Sequence, residues 1–75
     1  MNYQNIYNKI ILRGKDRVLT GYTEIHHILP KCLGGDNSAD NLVELTAEEH
    51  FVVHQLLVRM YPTVRGLIYA AIRMT

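Results

Sequence analysis

Residues 22–54 read YTEIHHILPKCLGGDNSADNLVELTAEEHFVVH and hold all four histidines of the chain: His26 and His27 side by side, His50 and His54 four apart. The stretch 23–29 is rich in β-branched and apolar residues and predicts a strand stopped by Pro30. Gly34, Gly35, Asp36 and Asn37 form a turn cluster, and Leu42-Val43-Glu44-Leu45 predicts a second short strand. The connection between them exceeds the usual hairpin loop of about two to five residues, and long loops of this kind often carry function. Thr46-Ala47-Glu48-Glu49 is a capping box, with Thr46 as cap and Glu49 reaching back. The helix it opens runs through Phe51, Val53, Leu56, Leu57 and Met60 until Pro62 stops it, with Phe51 and Val53 expected in the core.

On a helix, residues four apart share a face and stand roughly 6 Å apart along the axis. His50 and His54 can therefore aim both imidazoles at one ion, a spacing that helical zinc sites use. Successive strand residues point to opposite faces. One of His26 and His27 should join the helical pair, and the other should face away, free to accept a proton; alternation does not say which.

Outward from this stretch, Tyr3, Ile6, Tyr7, Ile10 and Ile11 follow the period of an amphipathic helix over about 2–18, which Gly14 weakens and Gly21 closes. Arg13, Lys15 and Arg17 are the densest basic cluster. They read either as a solvated helix end suited to its dipole or as contacts to DNA phosphates. On the other side, a third helix over about 63–75 would carry Leu67, Ile68, Ala71 and Ile72 on one face. Its pattern is still running at Thr75, so the chain reads as the front part of a longer protein.

Seventy-five residues predict one small domain whose core is modest, so a staple helps it fold. A single cysteine excludes a disulfide framework and a Cys-rich zinc finger, and Cys32 is expected to be a small packing residue. A bound metal is the remaining staple, because its binding free energy counts toward folding. The net charge of +1 is unlike that of a strongly basic nucleic-acid module, so any DNA contact must come from local charge and the metal. Nothing is apolar for long enough to cross a membrane, and the N-terminus lacks a signal-peptide pattern, so an intracellular, cytoplasmic protein is expected.

The series E-I-H-H at 24–27, G-G at 34–35, N-L at 41–42 and E-H-F-V-V-H at 49–54 resembles the HNH, or ββα-metal, nucleases. The two helical histidines resemble the version in colicin nuclease domains. The flanks, Y-x-x-I-Y at 3–7, Y-P at 61–62 and G-L at 66–67, are similar to phage HNH proteins of the homing-endonuclease type. The resemblance implies an α+β fold with a ββα-metal core over about 22–61. It implies His26, His50 and His54 as ligands of one divalent ion, His27 as general base, Asn41 as the residue that pins the loop, and Glu24 as a residue orienting the site. Many family members have Asp or Asn at one ligand position or add Cys pairs; this chain has neither, so three imidazoles hold the ion. Such a set suits zinc, nickel, cobalt or manganese better than magnesium, though zinc binding need not make zinc the working metal.

The expected function is metal-dependent hydrolysis of DNA phosphodiesters to 5′-phosphate and 3′-hydroxyl ends. Arg13, Lys15, Arg17 and Lys31 are the candidate DNA contacts; Arg59, Arg65 and Arg73 are scattered cations of the kind that usually face solvent. The alternative is a non-catalytic, metal-stapled module that binds DNA or protein.

Overall fold

The computed structural model describes residues Met1 to Met74; the expected end of the last helix at Thr75 lies outside the described residues. The chain opens with Asn2, whose side chain accepts a hydrogen bond from the Asn5 amide at 3.0 Å and so caps helix α1, Tyr3–Lys15. The helix ends earlier than the expected 18: Asp16 caps it, and Arg17 leaves the axis to pair with Glu49. Gly14 stays inside the helix because tertiary packing overrides its poor propensity. It faces the sheet so closely that an added Cβ would stand 2.7 Å from Val43 Cγ2 and 3.0 Å from Leu45 Cδ2.

Strands β1, Glu24–His27, and β2, Leu42–Leu45, pair antiparallel, with Glu24 opposite Leu45 and His26 opposite Val43. Val43, Leu45 and His26 are buried, so this face of the sheet looks inward, while Ile25 and Glu44 look out. The first strand is shorter than the expected 23–29. The Ile28 amide donates to the Asn41 carbonyl at 2.8 Å and the backbone of Leu29 bonds the Asn41 side chain, which takes both residues into the loop. That loop contains two short 3₁₀ turns, Lys31–Leu33 and Ala39–Asn41.

Helix α2, Ala47–Met60, opens on the expected capping box: Glu49 N bonds Thr46 Oγ1 at 3.2 Å, and Thr46 N bonds Glu49 Oε1 at 2.9 Å. Its inward stripe is His50, Val53, His54 and Leu57, with Leu56 beside it. Phe51, expected in the core, is 38 % exposed; it lies about 100° round the helix from His50, outside that stripe. Helix α3, Arg65–Arg73, begins after the turn at Pro62 and Thr63 rather than at it, and buries Leu67 and Ala71. Ile72, expected on the same face, is exposed.

The core is formed by Tyr7 and Ile11 of α1, Val43 and Leu45 of β2, Val53, Leu56 and Leu57 of α2, and Leu67 of α3. Burying one Leu or Val side chain here stabilises by about 1.5–3 kcal/mol. The result is an α+β fold: a helix, a two-stranded antiparallel sheet and two further helices, with β1, β2 and α2 in a ββα arrangement.

Candidate metal centre

Strand β1 and helix α2 bring three of the four histidines together. The rings of His26 and His50 are 5.2 Å apart between centroids, His26 and His54 5.1 Å, and His50 and His54 4.8 Å. Interplanar angles of 70–82° turn the rings edge to face rather than stacking them. One nitrogen from each lies within 4.8 Å of the others. Donors around a tetrahedral ion at about 2.0–2.1 Å stand roughly 3.4 Å apart, a closure within reach of side-chain rotation.

The protonation pattern fits metal binding. His50 Nδ1 bonds Glu24 Oε1 at 2.7 Å. A carboxylate only accepts, so Nδ1 carries the proton and Nε2 keeps its lone pair. Glu24 stays ionised because the Tyr22 hydroxyl and then His50 both donate to it, holding its carboxyl below the ordinary range. The Nδ1 atoms of His26 and His54 are both buried without a hydrogen-bond partner among the described residues. Burial, and then repulsion from the neighbouring imidazoles, pushes the pKa of His26 down to about 3. The same causes lower His54 to about 4, with His50 the neighbour. Both rings are therefore neutral near pH 7, the state in which imidazole ligates. Two buried ring nitrogens without partners, where three imidazoles converge, are the feature a cation would satisfy.

Alternation puts His27 on the opposite strand face from His26, yet it reaches the rim of the same cleft, which His26, His50, His54, Lys31 and Arg73 also line. Its Nε2 lies 2.8 Å from Asn37 Oδ1, an acceptor, so in the neutral ring the lone pair is on Nδ1. Asn41 stitches the loop to the end of the strand. Its Oδ1 accepts from the Leu29 amide at 2.8 Å, and its Nδ2 donates to the carbonyls of Leu29 and Asp36 at 3.0 and 2.9 Å. Gly35 permits this bracing: a Cβ there would stand 1.7 Å from the Leu29 carbonyl oxygen.

The basic residues divide. Arg13 and Arg17 both pair with Glu49 at the start of α2; the Arg17 bond, and after it the hydrogen bonds from Thr46, draw its carboxyl down to about 2. Lys15 donates to the carbonyls of Ala39 and Asp40 at 3.2 and 3.3 Å. Lys15 and Arg17 line a groove beside the second strand and its loop, and none of the three lines the histidine cleft, whereas Lys31 does. Cys32 is exposed rather than packed inside, because the 3₁₀ turn that carries it lies on the surface.

Three contributors escaped the sequence reading. Tyr7 Oη bonds His26 Nε2 and the Ile28 carbonyl, each at 2.7 Å. Tyr22 bonds Glu24, and Asn37 bonds His27. Only Tyr7 left a signal: it lies on the buried stripe of α1, and a buried tyrosine hydroxyl needs a partner.

The chain is 52 % identical over 71 residues to Probable mobile endonuclease E of Enterobacteria phage T4, an alignment covering 93 % of this chain and 50 % of that protein. It is 51 % identical over 75 residues to Probable mobile endonuclease D of the same phage, covering 93 % of this chain and 29 % of the relative. With Probable mobile endonuclease B it shares 53 % over 66 residues, covering 81 % and 25 %. No family model matches the chain, and no solved structure does. Over most of its length the chain is thus homologous to a part of each of these phage T4 proteins, and it spans half or less of theirs.

Proposed function

We propose that the chain is the nuclease part of a phage mobile endonuclease, of the HNH type, acting on DNA in the cytoplasm of a bacterial host. The observation that carries the proposal is the convergence of three imidazoles from β1 and α2, with a fourth, His27, lining the same cleft. His26, His50 and His54 would hold one divalent ion, zinc, nickel, manganese or magnesium. Once bound, it would stabilise charge on the scissile phosphate and the departing 3′ oxygen.

The remaining work falls to the chain. His27 takes a proton from a water as the water oxygen attacks phosphorus. The bond from phosphorus to the 3′ oxygen breaks, and the departing oxygen takes a proton from solvent, giving 5′-phosphate and 3′-hydroxyl ends. Asn41 keeps the loop against the end of β1 so that His27 holds its place, and Glu24 holds the ring of His50. Lys31 would meet the phosphate at the cleft, and Arg13, Lys15 and Arg17 would meet backbone phosphates further along the duplex.

The test is plasmid nicking by the metal-free protein with magnesium, manganese, nickel or zinc restored, beside His27→Ala. Metal-dependent nicking is expected to fall by about 10²–10⁴ in the variant, with metal content and melting temperature preserved. No nicking with any metal, while metal binding persists, would leave a metal-stapled binding module instead. Loss of metal or of the fold in His27→Ala would remove it as the base.

A further inference from the structure

We infer that Tyr7, on helix α1, is a positioning residue for the metal site: it fixes the tautomer of His26 so that the buried, unpartnered Nδ1 keeps its lone pair as the nitrogen free to ligate. This rests on the proposed three-histidine site and adds to it an element outside the ββα core. The argument is one of proton counting. Tyr7 Oη lies 2.7 Å from His26 Nε2 and 2.7 Å from the Ile28 carbonyl oxygen, and it has one proton to give. The carbonyl can only accept, so that proton goes to Ile28. The phenol oxygen must then accept from His26, which places a proton on Nε2.

A neutral imidazole carries one N–H, so Nδ1 is left with its lone pair. That nitrogen is buried and has no partner among the described residues. The reverse assignment, with Tyr7 donating to Nε2, would press the phenol oxygen against the Ile28 oxygen with no proton between them. It would also bury an Nδ1–H with no acceptor. His26 is 2 % exposed and Tyr7 3 %, so water cannot repair either fault. Glu24 does the same for His50 from the other side, taking Nδ1–H and freeing Nε2. Two ligands are thus poised by opposite nitrogens through two unrelated acceptors, a phenol on α1 and a carboxylate on β1.

Without the hydroxyl, neither ring N–H of His26 has an acceptor, so the metal-free ring loses its preference for Nε2–H and populates Nδ1–H as well, while the metal-bound state must keep a buried Nε2–H without a partner. The variant Tyr7→Phe keeps the ring in the core and removes that oxygen. Long-range ¹H–¹⁵N correlation of the imidazoles in the metal-free chain reads the tautomer directly. Titration of zinc against a chelating indicator reads affinity.

We expect wild-type His26 protonated on Nε2, Tyr7→Phe shifted toward Nδ1–H, and zinc affinity reduced about 10- to 100-fold. Wild-type His26 protonated on Nδ1 would overturn the inference even if the variant fails to fold. So would a folded Tyr7→Phe that binds zinc as tightly as wild type. If wild-type chain binds no zinc, the three-histidine reading fails instead, and the ¹⁵N spectrum still decides the bond between Tyr7 and His26.

Discussion

Acid should destabilise the metal-free domain, through the histidines rather than the carboxylates first. In the unfolded chain a histidine titrates near 6.5, whereas burial lowers His26 to about 3 and His54 to about 4 in the folded one. Above pH 6.5 neither state binds the proton, and these groups leave stability unchanged. As pH falls below 6.5 the unfolded chain gains protons that the folded chain refuses, so stability falls with pH until the folded values are reached. At pH 5 the gap is roughly 1.5 units for each residue, or about 2 kcal/mol apiece at about 1.36 kcal/mol per unit. Part of each shift is repulsion between the same rings, so the pair together should cost about 3 kcal/mol. A domain of this size holds only about 4–11 kcal/mol. Urea unfolding of the chelator-treated protein at pH 7.5, 6.5, 5.5 and 5.0 measures this as a falling midpoint with an unchanged slope. Below about pH 4.5 the loss continues, because the unfolded Glu49 then takes a proton that the folded carboxylate, held down to about 2 mainly by Arg17, still refuses. A midpoint that stays level from pH 7.5 to 5.0 would mean that His26 and His54 are not buried neutral in the folded state, and the metal centre as described would fall with them.

Metal removal should also show in stability. An ion free at about 100 times its Kd adds about 2.7 kcal/mol, or roughly 10–20 °C in a domain this small, so differential scanning calorimetry before and after EDTA should show a drop of that size; an equal Tm after verified removal would contradict it. Gly35→Ala should destabilise by about 1–3 kcal/mol, because its Cβ would fall 1.7 Å from the Leu29 carbonyl oxygen and the loop must give way. A melting curve that superimposes on wild type would show that the loop is not braced this way.

What the sequence made legible was local. The capping box, the two strands and the four-residue spacing of His50 and His54 are all set by residues within a few positions of each other. What it hid depends on partners far along the chain. Arg17 and Glu49 are 32 positions apart, so the basic cluster could be seen but not the carboxylate that it serves. The first strand ends at His27 rather than 29 because Asn41, twelve residues beyond Leu29, takes that residue's backbone. Phe51 misled because an apolar run F-V-V does not say which of three helix faces turns inward, and here His50 and His54 occupy the inward stripe that apolar residues would be expected to fill.

That displacement explains why the core and the site cannot be separated. His26 takes a position opposite Val43 on the inner face of the sheet and is as buried as the apolar residues around it. A neutral imidazole there must satisfy two nitrogens, and the described residues supply a partner for only one, the Tyr7 oxygen. The same holds for the buried Nδ1 of His54. Each unsatisfied nitrogen costs the metal-free protein of order 1–3 kcal/mol, and a cation drawn to those lone pairs returns it. Gly14 is what lets α1 come close enough to β2 for Tyr7 to reach the strand, since a methyl group there would meet Val43. The N-terminal helix is therefore no mere flank: on the proposed site, its approach to the sheet sets which nitrogen of His26 is free, and so how well the domain would hold an ion.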